Sequence, residues 1–311
     1  MASSGAFLRR AMLYVPATSS RMLTKSLGLT CDNITYDLED SVTPSSKADA
    51  RQALRKHLVD MNERPPSVSE IAVRINSVRS KFVEADLKLI TELPMVDTLV
   101  IPKVETRGDL RVVTNALKRH PRPKPLNLIA LIESARGVMN IQSICDGPSL
   151  KGLVFAAEDF ALDLSLTRTP DLTEFLFARS TIVTAARFAK IPSVIDLACT
   201  SYKGKQGLAQ LEKECRGGKA LGFNGKQCIH PSQIETVQRL FSPSKEEIEW
   251  AVRVSIADSK AEASGKGAWA LDGKMIDAPV AKKAKSLVAM AERCGMDVDE
   301  LMKKWEDQEP E

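Results

Sequence analysis

The sequence has little of what would build a metal-thiolate or disulfide protein. Its 311 residues include three histidines and six cysteines, at 31, 145, 199, 215, 228 and 294, and contain no C-x-x-C. That scarcity argues against a zinc cluster and a disulfide framework, and for a reducing intracellular compartment. No apolar run, Leu128 to Ile132 included, approaches the ~18 residues that cross a bilayer, so no membrane partner is expected. Met1 to Arg10 holds no apolar secretory core. Neither charge sign dominates: 44 Lys and Arg against 40 Asp and Glu leave +4, with both signs interspersed. That is too mild for a nucleic-acid binder but suits an anionic small molecule. With 43% hydrophobic and 27% charged residues, the composition is that of a folded globular protein.

The ends leave the address open. Ser3, Ser4, Arg9 and Arg10, with no acid before Asp32, fit either the tail of a mitochondrial presequence or a short lead-in to a first strand. Glu306 to Glu311 is mostly acidic, carries no peroxisomal tripeptide and is expected to fray. The compartment is therefore cytoplasmic or mitochondrial.

Eight short β-rich runs recur: Ala11–Pro16, Asn33–Asp37, Ile71–Ile75, Thr98–Ile101, Leu128–Ile132, Gly152–Phe155, Ser193–Leu197 and Lys226–Ile229. Amphipathic stretches lie between them, among them Lys47–Met61, Phe82–Leu93, Arg107–Arg119, Glu174–Ala189 and Gly207–Leu221. Strands alternating with helices predict a parallel sheet, and eight such units close a (β/α)8 TIM barrel. An open doubly wound sheet competes, but the first turn, Pro16 to Ser20, lacks the G-x-G-x-x-G such sheets often carry. The α/β barrel is assigned to residues 11–240 and a C-terminal helical extension to 241–311. In the extension, a helix over Ser244–Ala263 and a helical region over Pro279–Trp305 flank an excursion containing Gly265, Gly267 and Gly273. That excursion reads as a lid, or as an arm onto a neighbouring subunit.

Charged residues gather where the strands end. Asp37, Glu39 and Asp40 follow the second strand, Arg74 ends the third, and Lys103 and Glu105 follow the fourth. Glu133, then Glu158 and Asp159, follow the fifth and sixth; Asp196 lies on the seventh and His230 closes the eighth. Barrel enzymes build their sites on this rim. Strand ends surface anyway, which explains one or two such charges but not so many acids together. Several carboxylates around one mouth repel one another unless a cation neutralises them. Oxygen donors without clustered His or Cys favour Mg2+, with Mn2+ second.

The motifs together resemble the citrate lyase β-subunit-like family of the HpcH/HpaI aldolase superfamily, close to citramalyl-CoA and malyl-CoA lyases. The resemblance rests on Leu13-Tyr14-Val15-Pro16, on Asp37-Leu38-Glu39-Asp40-Ser41-Val42 with Lys47 and Arg51, and on Val73-Arg74-Ile75-Asn76. It continues through Pro102-Lys103-Val104-Glu105, Ile132-Glu133-Ser134-Ala135, Glu158-Asp159-Phe160 and Gly222 to Pro231, and reaches Met275-Ile276-Asp277-Ala278-Pro279. It covers about residues 11 to 290.

The resemblance implies that Glu133 and Asp159 ligate Mg2+ and that Glu39 and Asp40 hold its waters. It makes Arg74 the contact to the reacting carbonyl or carboxylate, and places Tyr14, Arg21 and Lys25 near coenzyme A. Ile229 and His230 would lie along the thioester, and Asp277 would reach a neighbour's site on a lid, within a homo-oligomer, most simply a trimer. Read singly, a strand-end acid is as readily a helix cap or ion-pair partner, Arg21 and Lys25 a solvated basic face, and Asp277 an N-cap. The implied reaction is Mg2+-dependent cleavage of a citramalyl-CoA or malyl-CoA type substrate to acetyl-CoA and a 2-oxo acid, pyruvate or glyoxylate. Alternatives are condensation with thioester hydrolysis, aldol chemistry on free 2-oxo acids, and a citryl-thioester subunit working with a carrier protein. Two departures from the family pattern, Ala17 after Val-Pro and Ala156-Ala157 before Glu158, bear on which 2-oxo acid fits.

Overall fold

The structure is a computed structural model describing residues 7–61, 63–119, 122 and 124–311. Ser3 and Ser4 of the presequence reading lie outside the described residues. The chain divides into two compact units, residues 1–238 and 239–311.

Eight strands of the first unit, β1 (Ala11–Pro16), β2 (Cys31–Asp37), β3 (Val68–Arg74), β4 (Thr98–Ile101), β5 (Asn127–Ile132), β6 (Leu150–Phe155), β7 (Ser193–Asp196) and β8 (Gly225–Cys228), pair in sequence order. All are parallel, and β8 returns to β1 to close a TIM barrel. The intervening helices are α1 (Ser20–Ser26), α2 (Lys47–Val59), α3 (Val83–Thr91), α4 (Arg107–Arg119), α5 (Ala135–Met139), α6 (Ile141–Cys145), α7 (Ala157–Leu164), α8 (Leu176–Phe188) and α9 (Gly204–Leu221). α10 (Ile234–Phe241) spans the division between the units.

Barrel strands are buried on both faces, which is why β2 and β4 are buried at every position and β5 reads as a nearly unbroken apolar run. Met12, Ala72, Val100, Ile129, Leu131, Val154 and Ile195 form one interior cluster, with Tyr14 and Ala156 packed against it. At the seam a Cβ on Gly225 would come within 1.9 Å of the Arg9 carbonyl oxygen, so β8 can approach β1 only with glycine there.

Polar residues plug the N-terminal end of the barrel. Arg9 meets Glu70 of β3 through two bonds of 2.6 and 2.7 Å and donates to Ser193 Oγ of β7 at 2.9 Å. Asn33 of β2 donates to Glu70 at 2.7 Å, and Thr98 of β4 donates to it as well. Both members of the ion pair are almost fully enclosed.

The second unit holds α11 (Lys245–Ala263), α12 (Ala278–Arg293) and α13 (Asp299–Lys304) around a core that includes Val252, Ala257, Trp269, Ile276 and Ala284. The excursion expected as a loop is instead an antiparallel hairpin, β9 (Trp269–Leu271) and β10 (Lys274–Ile276). Its two-residue turn, Asp272-Gly273, has φ of 51° and 71°, and Arg253 grips Asp272 with two 2.7 Å bonds. Asp-Gly between short apolar runs favours such a turn, a signal the helical reading of the flanks overrode. The region read as helical from Pro279 to Trp305 breaks into α12 and α13. Among the described residues no helix is long and apolar enough to cross a membrane.

The plug makes a stability prediction. Glu70→Leu strands the enclosed Arg9 charge and should lower unfolding free energy by about 3–5 kcal/mol in urea titrations. Adding Arg9→Met should recover part of that loss. A double variant less stable than Glu70→Leu alone would show that the two residues do not act as a pair.

Candidate active site

The opposite end of the barrel is built around Asp37, the last residue of β2. Its Oδ1 accepts the Glu39 N–H at 2.9 Å and its Oδ2 the Ser41 N–H at 3.1 Å, folding the chain into a tight turn. The same oxygens take both arms of the Arg74 fork from neighbouring β3, at 2.7 and 2.6 Å. From behind, Lys47 Nζ donates to the carbonyls of Leu38 and Glu39 at 2.8 and 2.7 Å, and Asn76 donates to the Leu38 carbonyl. Burial alone would raise the Asp37 carboxyl; the Arg74 bonds outweigh it and hold it below the usual range. Burial would likewise favour neutral Arg74, but its bonds to Asp37 keep it charged.

Arg74 therefore has one end of its fork committed. Its plane lies over the Tyr14 ring, 4.8 Å from the centroid, and Nη1 points toward Glu39 Oε2 at 3.1 Å. That oxygen is buried and receives no hydrogen bond, and neither does the buried Tyr14 hydroxyl. Burial pushes the Tyr14 phenol up, so it remains a proton-bearing donor at neutral pH.

Across the mouth, Lys103 follows β4 in a left-handed conformation with φ 53°. Its N–H donates to Glu133 Oε1 at 2.9 Å, and its ammonium reaches Glu39 Oε1 at 2.7 Å and Asp40 Oδ1 at 3.4 Å. Burial opposes that charge, but the Glu39 carboxylate more than compensates and stabilises the ammonium. Glu133, immediately after β5, is buried and lines one cleft with Asp159 in the first turn of α7. Burial, then the charges of Asp159 and Glu39, push the Glu133 carboxyl up to about 8.

Neighbouring carboxylates that repel one another favour keeping a proton on one of them, and a divalent cation can take that proton's place. Among the described residues no three His, Cys, Asp or Glu are grouped to enclose a metal unaided. Two carboxylates with a third, hydrogen-bond-starved carboxylate oxygen nearby are what Mg2+ accepts, because it keeps most of its waters. The residues fit that ion. Glu133 and Asp159 open onto a cleft of about 350 Å3 that Arg79, Lys103, Ser134 and Leu162 also line.

The structure thus gathers Tyr14, Glu39, Asp40, Arg74, Glu133 and Asp159. Tyr14 stands against Arg74 in the barrel mouth. Arg21 and Lys25 are exposed on α1, four residues apart. Ile229 and His230 follow β8; Ile229 is exposed, and the His230 ring stacks on Tyr202 at 4.8 Å while its Nδ1 accepts the Ser232 N–H. Tyr202 lines a larger groove, about 650 Å3, with Arg168, Thr200, Lys203 and Gln206; none of the four mouth carboxylates lies in it. Asp277 belongs to the second unit and caps α12, its Oδ1 accepting the Val280 N–H at 3.1 Å. Asp37 and Lys103 were visible in the sequence only as strand-end charges without a role. Their partners across the barrel are what give them one.

A parallel eight-stranded barrel with an acidic, cation-seeking mouth beside an arginine fork defines a class: barrel lyases and aldolases that handle anionic substrates. The chain belongs to the HpcH/HpaI aldolase/citrate lyase family, whose signature matches residues 10–231, and a signature for carbon–carbon bond lyases of the TIM-barrel fold matches 178–296. It is a carbon–carbon lyase. It is 35% identical to the human mitochondrial citramalyl-CoA lyase over 91% of this chain and 85% of that one. It is 34% identical to a (3S)-malyl-CoA thioesterase of Cereibacter sphaeroides over 91% and 94% of the two chains. Among solved structures it resembles protein CitE from Mycobacterium tuberculosis in complex with magnesium, acetoacetate and coenzyme A. That match has a TM-score of 0.73 and 29% identity, covering 93% of this chain and 98% of that one.

The raised Glu133 carboxyl sets a pH dependence. Glutamate in the unfolded chain releases its proton near ~4.3, whereas folded Glu133 keeps it to about 8. Between those values the folded state binds more protons, so metal-free protein loses stability as pH rises through the window. Thermal melts in EDTA should show a lower Tm at about pH 8 than at about pH 5.5, and Glu133→Gln should flatten the difference. An unchanged slope in that variant would assign the proton to another group.

Proposed function

We propose that the protein is a Mg2+-dependent lyase cleaving a 3-hydroxyacyl-CoA carboxylate, citramalyl-CoA or malyl-CoA, to acetyl-CoA and pyruvate or glyoxylate. The observation that carries this reading is the convergence of Glu133 and Asp159 on one cleft in a mouth that also holds the Arg74–Tyr14 stack. The names of the citramalyl-CoA lyase relative and of the CitE complex with magnesium and coenzyme A support it. Glu133 and Asp159 would hold the metal, and Glu39 and Asp40 its waters. Mg2+, when bound, supplies a divalent charge and Lewis acidity toward substrate oxygens.

The remaining chemistry falls to the chain. The 3-hydroxyl loses its proton, the C2–C3 bond breaks, and its electron pair moves into the thioester as an enolate, releasing the 2-oxo acid. Arg74 Nη1 has donor capacity left over from Asp37, and the unpartnered Tyr14 hydroxyl is the adjacent donor; both would stabilise the negative charge that develops. Asp277, supplied by a neighbouring subunit of a homotrimer, would return the proton to C2. Residues 11–240 serve as the catalytic domain and 241–311 as the extension that delivers the lid. Exposed Arg21 and Lys25 would meet coenzyme A phosphates, with Ile229 and His230 along the thioester arm. A reducing intracellular compartment suits six unpaired cysteines.

A second outcome at the same site is hydrolysis of the thioester to free malate or citramalate, favoured by the relative named a malyl-CoA thioesterase. Incubating purified protein with Mg2+ and each acyl-CoA, with products read by mass spectrometry, separates the two. Lysis yields acetyl-CoA and a 2-oxo acid, whereas hydrolysis yields free CoA and a hydroxy acid. Full turnover in EDTA would end the metal assignment.

Two variants test the roles. Arg74→Lys cannot keep the pair of hydrogen bonds to Asp37 and present a further donor, so turnover should fall at least ~100-fold; a loss under about threefold would make Arg74 purely structural. Glu133→Ala and Asp277→Asn should each be inactive alone. Mixed under conditions of subunit exchange, they should regain partial activity, because some sites then combine an intact mouth with an intact lid. Exchange without recovery would place Asp277 outside the neighbour's site.

A further inference from the structure

Lys103 places an ammonium among the acids of the mouth, and it is held there in an unusual way. Its nitrogen lies 2.7 Å from Glu39, 3.4 Å from Asp40 and 3.9 Å from Asp159. Arg74 also reaches these acids, its Nη1 lying 3.1 Å from Glu39 and 4.0 Å from Asp40, but two bonds to Asp37 pin it in place. The acids Glu39, Asp40 and Asp159 thus face one pinned arginine and one lysine that is free to move.

The backbone of that lysine is fixed from both sides. Its N–H serves Glu133 at 2.9 Å, and its carbonyl accepts Arg79 Nη1 at 3.1 Å, Arg79 being anchored in turn by Asp109. The φ of 53° is tolerated because those contacts hold it. The side chain, by contrast, is a flexible stem with more than a third of its surface open to solvent. It can swing out without moving the peptide that steadies Glu133.

Resting on the reading that a divalent cation binds at Glu133 and Asp159, we propose that the Lys103 ammonium is the resident counterion of the metal-free mouth. It leaves when the divalent ion arrives and so sets metal affinity by competition. The tethered cation keeps the carboxylates apart and ordered while the site waits. It also makes weak binding an inherent property of the site, because each metal ion that enters must displace a charge already paired. Lys103 is a positioning residue in this scheme, acting through Glu39, Asp40 and Asp159.

The test uses full-length, EDTA-stripped protein and Mn2+, whose free ion is counted by electron paramagnetic resonance. Lys103→Met should bind Mn2+ about tenfold more tightly than the wild type, whereas Lys103→Arg, which keeps the charge, should stay within about threefold of it. In the wild type, Mg2+ should increase reductive methylation of Lys103, read by peptide mass spectrometry, as the amine is released to solvent. Equal or weaker Mn2+ binding by Lys103→Met overturns the counterion role and leaves the metal assignment standing, since both proteins bind. Failure of the wild type to bind Mn2+ removes the metal assignment and the proposal together. If Lys103→Met does not fold, the labelling decides: a gain with Mg2+ supports displacement and no change overturns it.

Discussion

The pair of hydrogen bonds that Arg74 donates to Asp37 organises the mouth of this barrel. It ties the ends of two adjacent strands, β2 and β3, at the height where the side chains turn toward solvent. The aspartate also folds the Glu39–Asp40 turn by accepting two of its N–H groups, so one carboxylate sets both the arginine and the acids facing it. The arginine, pinned at one end, lies over Tyr14 and turns its other end to Glu39. A fork held only by solvent would sample many rotamers. This one is oriented before any substrate arrives, which is how electrostatic stabilisation avoids reorganisation during reaction.

The two ends of the barrel follow opposite rules. At the base, Arg9, Glu70, Asn33, Thr98 and Ser193 satisfy one another in an enclosed network. At the mouth, the Tyr14 hydroxyl and one Glu39 oxygen are buried without hydrogen bonds, and the Glu133 carboxyl is pushed up to about 8. Buried polar atoms left without bonds are costly, and they gather at sites whose remaining partner is a ligand. The base stabilises the fold, and the mouth keeps bonding capacity for chemistry.

Much of this was legible in the sequence, because a parallel barrel writes itself plainly. Its strands are apolar on both faces, and the side chains of its mouth follow within a few residues of each strand, so Arg74, Glu133 and Asp159 could be placed there by position. What stayed hidden is pairing across the barrel. Asp37 and Lys103 look like any strand-end charges until β2, β3, β4 and β5 are brought side by side. Arg9 and Glu70, 61 residues apart, give no local sign of meeting. The left-handed backbone at Lys103 was equally invisible, since lysine has no preference for it and tertiary contacts impose it. The Asp272-Gly273 turn was readable but lost to the stronger helical pattern on either side.

The seam between β1 and β8 has a consequence for how the chain comes to exist. Ala11 lies opposite Lys226, so the first strand made waits for the last, and until then it has an unpaired edge. Arg9 likewise reaches Ser193, which emerges late. During synthesis, then, a growing chain lacking its final barrel unit has an exposed strand and an unfilled base, the condition in which aggregation and chaperone capture compete with folding. The barrel's closing seam can therefore form only after β8, which ends at Cys228, has been made.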